Sequence, residues 1–329
     1  MGTNRIEWID TAKGLGLLLV FIGHLKTPYL ATWVYTFHMP LFFFLSGLVY
    51  KHLCWDDFIV KRFKRLVIPY FVLGSGIFII WCIIYMCQGE NLVEYVEMLK
   101  NFLCQRGFWT VWFLAALFVA SVLQWIIVVI TKDNRKNILI LSSFLCLLTF
   151  VYYRLGGKVL PWCIDVACVA QFFMNIGYLS TRHYSLVGKE LKTSLLIIAV
   201  LFIINALSGF ACIRFSGDSL DMSIGMYGNE ILSLISAFSG IGATICFSRL
   251  FTNRFITYLG KNSMILFAWH SRIVIVLCGF MYKSLGWFQH FSILEQILYT
   301  IITLMIILIV LIPITEFVKT TKYRIYFGV

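Results

Sequence analysis

The sequence predicts an all-α integral membrane protein, a bundle of about ten transmembrane helices with both termini in the cytoplasm. Of the 329 residues, 60% are hydrophobic and only 13% are charged. The mean hydropathy is +0.89, and the apolar residues gather in long runs. Soluble domains carry about 25% charged residues, and an α-helix needs about 20 apolar residues to cross the hydrocarbon. A bilayer is therefore the solvent that this composition fits.

Ten segments have the length and hydropathy of membrane spans. They cover, roughly, 8–25, 31–50, 66–87, 108–131, 138–153, 160–179, 191–211, 230–251, 262–281 and 293–318. The stretch from Asn91 to Cys104 predicts a short amphipathic helix outside the spans. No polar linker, low-complexity stretch or internal repeat divides the chain, so residues 1–329 are predicted to form a single membrane domain.

The basic residues indicate the orientation. The formal net charge of +12 comes from short clusters between apolar runs, a pattern that favours the positive-inside rule over nucleic-acid binding. With a cytoplasmic N-terminus, most loop lysines and arginines face the cytoplasm, and an even number of spans returns the C-terminus there. We expect a multi-pass protein of the plasma (inner) membrane. The ten cysteines include no CxxC pair, so no metal site is predicted.

The first predicted span holds three polar residues on one face. Lys13 and His24 are eleven residues apart, which at 100° per residue brings them within about 20° of each other and about 16 Å apart along the axis. Asp10 lies three residues before Lys13 and joins that face. An acid and a cation are thus expected at the inner surface and an imidazole in the outer half. The alternative interpretation of His24 is a structural histidine within the bundle.

The second predicted span is expected to add a histidine at the same depth. His38 begins it from the outer side, Pro40 predicts a kink, and Ser46 with Gly47 allows close backbone approach to a neighbouring helix.

The segment after the second span is predicted to be a basic inner loop ending at Pro69. Four cations lie within five residues, at Lys61, Arg62, Lys64 and Arg65. One interpretation is an orientation signal or a contact with anionic lipid. The other is a clamp for the phosphates of a polyanionic ligand.

The ninth predicted span begins at Asn262 and Ser263, which are residue types that start helices, and continues through His270 to Arg272. Because a cation about ten residues into a span needs a partner, a cavity or a route to the surface, Asp165 is the intramembrane acid that we expect to pair with Arg272.

Together these residues resemble the acyltransferase 3 family of membrane-bound O-acyltransferases that modify bacterial surface glycans. The matching motifs are Arg5–Asp10, the Lys13 and His24 pair, Phe37–Gly47, the basic segment ending at Pro69, Trp112–Leu114, and Leu259–Ser263 followed by His270. The family usually has arginine in place of Lys13, so this chain keeps the charge and loses the bidentate geometry.

The resemblance implies an O-acetyltransferase that moves an acyl group, acetyl above all, from cytoplasmic acetyl-CoA to a hydroxyl of a cell-surface or lipid-linked glycan, without a metal. We expect His24 to be the general base, since neutral imidazole suits proton removal near pH 7. An acyl-histidine intermediate is the variant in which His24 is the nucleophile. The expected phosphate ligands are Lys13, Lys61, Arg62, Lys64 and Arg65. The expected supporting residues are Asp10, His38, Ser46, Trp112, Asn262, Ser263, His270 and Arg272.

Two other functions stay open at this point. One is an acyl-group translocator that serves a separate transferase. The other is a secondary transporter with an ion path formed by His24, Asp165, His270 and Arg272. The oligomeric state has no signal in the sequence.

Overall fold

The computed structural model of the chain describes residues 6–25, 28–89, 92–104, 109–181, 191–216, 221–271, 273–274 and 292–327. Apart from one isolated bridge between Asp221 and Met226, every regular element in these ranges is helical. The predicted all-α class is confirmed. The α-helices are α1 Glu7–Gly23, α2 Pro28–Tyr35, α3 His38–Leu48, α4 Trp55–Arg62, α5 Ile68–Gln88, α6 Leu92–Leu103, α7 Trp112–Ile130, α8 Arg135–Arg154, α9 Ile164–Ser180, α10 Leu191–Ser216, α11 Glu230–Leu250, α12 Arg254–Lys261, α13 263–271 and α14 Ile293–Thr320.

Seven helices of the described ranges are long and apolar enough to cross a membrane. They are Trp55–Cys87, Trp112–Ile130, Arg135–Arg154, Pro161–Ser180, Leu191–Ser216, Glu230–Leu250 and Leu294–Thr320. Among the other predicted spans, 8–25 overlaps the 17-residue α1, 31–50 is divided into two shorter helices, and 262–281 is described at residues 262–271 and 273–274. The chain is a multi-pass membrane protein, while the count of ten and the cytoplasmic termini stay predictions.

The predicted second span is broken at Thr36 and Phe37, between α2 and α3. Pro40 explains the position of the break, because proline has no N–H to donate and its ring crowds the carbonyl four residues back, here that of Thr36. The backbone tightens at this point: the Thr36 N–H bonds to the Trp33 carbonyl and the Phe37 N–H to the Val34 carbonyl. The expected kink is therefore a complete helix break.

The basic segment is helical, so its assignment to a loop was wrong. α4, a π-helical turn at Phe63–Val67 and α5 follow one another directly. Pro69 again gives the reason, because it cannot bond to the Arg65 carbonyl as an α-helix requires. The Ile68 N–H reaches back five residues to the carbonyl of Phe63 instead.

The chain divides into two compact units, and the predicted single-domain organisation stays a prediction. The first unit takes Met1–Phe42, Ser185–Leu220 and Gly228–Thr321, and the second takes Phe43–Tyr184, Asp221–Tyr227 and Lys322–Val329.

In the second unit, α9 packs closely against the C-terminal part of α3. A Cβ added at Gly47 would lie 1.8 Å from the Met174 carbonyl oxygen, and one added at Gly177 would lie 2.2 Å from that of Phe44. Since no side chain fits in these distances, the two backbones touch at glycine, as expected for Ser46-Gly47. The core of this unit includes Tyr50, Phe58, Ile127, Val128 and Ile138.

Candidate active site

In the first unit, α1 lies directly on α12. A Cβ added at Gly14 would lie 2.0 Å from the Ile256 carbonyl oxygen, and one added at Gly260 would lie 1.8 Å from the Asp10 carbonyl oxygen. The hydroxyls of Thr11 and Thr257 are hydrogen-bonded across the same contact, at 3.0 Å. Close backbone approach through small residues is a usual way for membrane helices to associate. Gly260 of the Leu259–Ser263 motif thus holds α1 against α12.

The polar face predicted on α1 contains an ion pair at its N-terminal end. Lys13 Nζ lies 3.9 Å from Asp10 Oδ1, the spacing of three residues bringing both side chains to one side of α1. The Asp10 side chain is 2% exposed and that of Lys13 is 22% exposed. Lys13 therefore keeps part of its surface available to a further anion.

At the other end of α1, His24 meets His270 of α13. The two ring centroids are 4.7 Å apart and the rings are perpendicular, at 86°. Phe21, one turn before His24, lies 4.9 Å from the His270 ring. His270 is completely buried, whereas His24 is half-buried. Since α13 follows α12 directly, the glycine contact between α1 and α12 also explains how His270 reaches His24.

Backbone carbonyls define the tautomers of three histidines. Nδ1 lies 2.9 Å from the Val20 carbonyl in His24, 2.8 Å from the Val34 carbonyl in His38 and 2.7 Å from the Phe267 carbonyl in His270. Because a carbonyl oxygen only accepts hydrogen bonds, Nδ1 of each ring must donate its proton. In the neutral rings the lone pair is then on Nε2, which is the atom able to accept a proton from a ligand.

Tyr35 lies between His24 and His38. Its ring centroid is 6.2 Å from that of His24 and 5.0 Å from that of His38, which it meets edge-on. A Cβ added at Gly23 would lie 3.1 Å from Tyr35 Cε2, so the phenol ring covers the residue next to His24. Tyr35 is half-buried and His38 is buried.

Asn262 and Ser263 join α12 to α13. The Asn262 side-chain amide donates to the Tyr258 carbonyl at 2.9 Å and so satisfies the end of α12, while the Asn262 carbonyl accepts from the Leu266 N–H and opens α13. Ser263 is half-buried at the first position of α13. Both residues act at this helix junction.

The second unit holds the four cations of the basic segment. Lys61, Lys64 and Arg65 are exposed, and Arg62 is half-buried with its guanidinium 5.6 Å from the centre of the Phe58 ring. Tyr50 lies close enough to interact electrostatically with Arg62.

The remaining sequence-predicted residues are distributed as follows. Ser46 is half-buried on α3 and Trp112 is buried at the start of α7, both in the second unit. Asp165 accepts hydrogen bonds from the Tyr153 hydroxyl and the Leu160 N–H in that unit. Arg272, and with it the predicted pair with Asp165, lies outside the described residues.

The structure thus brings together Asp10 with Lys13, and His24 with His270 and His38. Tyr35 was not singled out from the sequence, because its residue type is common in the predicted spans. Its place three residues before His38, at a break that Pro40 causes, is the signal that points to it.

Comparison with known proteins identifies the family of the chain. Residues 6–315 match the acyltransferase domain of the acyltransferase 3 family. The nodulation protein NolL of Mesorhizobium japonicum (strain LMG 29417 / CECT 9101 / MAFF 303099) is 27% identical over 194 residues, and the match covers 52% of this chain and 49% of that protein. The chain spans about half the length of this curated relative. No solved structure is significantly similar to the chain. Because the family match covers nearly the whole sequence, the chain belongs to the acyltransferase 3 family.

Proposed function

We propose that the chain transfers an acyl group, acetyl in the first instance, from acetyl-CoA on the cytoplasmic side to a hydroxyl of a cell-surface or lipid-linked glycan. The observation that supports this most directly is the state of His24. Its Nδ1 is engaged by the Val20 carbonyl, its Nε2 is the basic nitrogen, and its side chain is half-buried while those of His38 and His270 are buried. Of these three histidines, His24 is the one that a substrate can reach.

His24 acts as the general base in this proposal. Its Nε2 accepts the proton of the acceptor hydroxyl, while the Val20 carbonyl holds Nδ1–H and prevents the ring from turning. The hydroxyl oxygen forms a bond to the acyl carbon as the carbon–sulfur bond breaks, and the proton taken by His24 passes to the departing sulfur. A backbone carbonyl thereby fixes the tautomer and the orientation of His24, as a buried carboxylate does for the histidine of a catalytic triad, without adding a negative charge.

His270 and His38 support His24 from the surrounding helices. The edge of His270 against His24 limits the positions that the His24 ring can take, and Phe21 packs against His270. Tyr35 and His38 bound the other side. These contacts favour a pre-oriented base, which is the feature that general-base catalysis needs.

Acetyl-CoA supplies the acyl group as a thioester and brings several phosphate charges. The residues present fit those charges. Lys61, Lys64 and Arg65 are exposed on the helix that runs through the π turn, and Lys13 keeps part of its surface exposed. We assign phosphate binding to these residues and Arg62, since clustered lysine and arginine form charge-assisted bonds with phosphate oxygens.

In this proposal the chain lies in the plasma (inner) membrane with both termini in the cytoplasm. The donor is then bound from the cytoplasmic side, and the acceptor lies toward the outer half of the membrane. The charge distribution of the loops supports this orientation.

The deciding experiment uses the purified chain in lipid nanodiscs, with acetyl-CoA and a saccharide acceptor. We expect free thiol to appear together with acceptor molecules heavier by one acetyl group. Mass spectrometry of surface polysaccharides from cells with and without the gene then identifies the natural acceptor. Thiol release that depends on a second, extracytoplasmic protein would favour the translocator function, and solute uptake without acyl transfer would favour a transporter.

A further inference from the structure

The break between α2 and α3 is held by a buried amide of α10. The Asn205 side chain is completely buried in the middle of that apolar helix. Its oxygen accepts from Trp33 Nε1 at 2.6 Å. Its nitrogen donates to the Ser236 carbonyl at 2.7 Å and lies 2.9 Å from the Ser236 hydroxyl and 3.3 Å from that of Thr36. A polar group inside a membrane persists where its partners are supplied by protein, as they are here.

Small residues of α10 and α11 shape the surface that receives the break. A Cβ added at Gly209 would lie 2.9 Å from Thr36 Cγ2, and one added at Gly240 would lie 2.4 Å from the Phe37 ring. The two residues of the break therefore pack directly against glycines, Thr36 against Gly209 and Phe37 against Gly240. Trp33 packs in addition against Phe202, at 4.9 Å between ring centres.

The two residues that bond to Asn205 lie on either side of Tyr35 in the sequence. Trp33 precedes it by two positions and Thr36 follows it. With Trp33 and Thr36 both hydrogen-bonded to the Asn205 amide, the segment that carries Tyr35 is attached to α10, and the Tyr35 ring lies over Gly23 and beside His24. The same constraint places His38, which begins α3 immediately after the break.

We infer that Asn205 is a positioning residue for His24, acting through the helix break and Tyr35. This inference rests on the proposed role of His24 in acyl transfer. Asn205 has no contact with the reacting groups in this account; it determines where Tyr35 stands and thereby the orientation of the base.

The test compares Asn205→Leu and Trp33→Phe with a matched variant of the second unit, Asn175→Leu. Asn175 is also a completely buried amide in a membrane helix, hydrogen-bonded to Ser142 and Gln171. Turnover is measured per folded molecule, with folded protein quantified by size-exclusion chromatography. We expect Asn205→Leu and Trp33→Phe to lower kcat about 10- to 100-fold, because small displacements of reacting groups have effects of that size. The KM for acetyl-CoA should stay unchanged. The double variant should lose no more than Asn205→Leu alone, since that change already removes the hydrogen bond that Trp33→Phe breaks.

A second measurement does not depend on the reaction. Diethyl pyrocarbonate acylates unprotonated imidazole, and the modification of each histidine is followed by peptide mass spectrometry. The exposed His52 of the second unit serves as internal reference. We expect the rate of diethyl pyrocarbonate modification at His24, relative to that at His52, to change by the same factor in Asn205→Leu and Trp33→Phe. In Asn175→Leu this relative rate should stay unchanged.

The two measurements separate the possible failures. If the wild-type chain shows no acyl transfer, the proposed function is wrong, and the labelling rates still decide the role of Asn205. If turnover per folded molecule and His24 labelling are the same in Asn205→Leu as in Asn175→Leu, the inference is wrong and Asn205 is structural alone.

Discussion

The His270 ring stands edge-on to the His24 ring, with 4.7 Å between the ring centres. The two residues are far apart in sequence, on α13 and at the end of α1, and they meet because Gly14 and Gly260 bring α1 onto the helix that precedes α13. The half-buried ring is that of His24 and the buried ring is that of His270. This difference in burial is the basis of the first two predictions, in which the two histidines have different proposed roles.

The first prediction concerns His24 as the base. His24→Ala should lower turnover by at least about 10²-fold, since a positioned general base contributes about 10²–10⁴-fold. His24→Gln keeps a hydrogen-bonding side chain but accepts no proton at neutral pH, so it should be nearly as inactive. CoA binding, measured by isothermal titration calorimetry, should change little in both. A well-folded His24→Gln variant with near wild-type transfer would remove His24 from the mechanism and make His270 the leading candidate.

The second prediction concerns His270 as a packing partner. His270→Phe keeps an aromatic edge against His24, so the loss in kcat should stay below about tenfold, the size of one aromatic contact of about 0.5–1.5 kcal/mol. His270→Ala lets the His24 ring turn and should lose more. His52→Phe, at an exposed histidine, is the control with unchanged turnover. A His270→Phe loss as large as that of His24→Gln would show that His270 takes part in the chemistry itself.

The third prediction concerns phosphate binding by the basic segment. Arg62→Ala combined with Arg65→Ala should raise the KM for acetyl-CoA, because each lost charge-assisted bond is worth about 1.5–3 kcal/mol. The matched control is Lys132→Ala with Lys136→Ala, which removes two exposed cations from the turn between α7 and α8 and from the start of α8. Insertion of both double variants is checked by membrane fractionation. Equal KM values for the two would assign Arg62 and Arg65 to orientation or lipid contact.

The fourth prediction concerns the helix contact that underlies the site. Gly260→Ala places a methyl group where the Asp10 carbonyl oxygen lies, so the helices must separate at a cost of about 1–3 kcal/mol. Thermal stability in detergent and turnover per folded molecule should both fall. Gly242→Ala is the control, since its methyl group would first meet the flexible Leu201 side chain at 3.1 Å. Equal behaviour of the two variants would mean that α1 and α12 do not depend on this contact.

The fifth prediction is topological and follows from the loop charges. Single cysteines introduced near Arg62, Lys136 and Arg182 should be protected from a membrane-impermeant thiol reagent in intact cells, and those near Gly156 and Asp218 should be labelled. The native cysteines are replaced beforehand. Labelling at Arg62 from outside would reverse the orientation and place the proposed donor side on the wrong face.

The sequence alone determined the all-α class and the position of the seven long apolar helices, because hydropathy and span length are local properties of the chain. It also indicated Asp10, Lys13 and His24 as one face of α1, since helical periodicity needs no other part of the molecule. Proline marked two irregular places, Pro40 and Pro69. At Pro40 the sequence predicted a kink but not the complete break, and at Pro69 it predicted the end of a loop where the structure has a π turn within a helix.

The tertiary structure decided which polar groups meet. Thr11 with Thr257, Trp33 with Asn205, and His24 with His270 are contacts between distant segments, and their formation depends on which helices pack together. Hydropathy does not distinguish these partners, because apolar helices in a bilayer have no strong hydrophobic preference for one another. Small residues and hydrogen bonds select the partners instead. Tyr35 and Asn205 are ordinary in the sequence for this reason, and only the packing of α2 against α1 and α10 gives them their proposed role near His24.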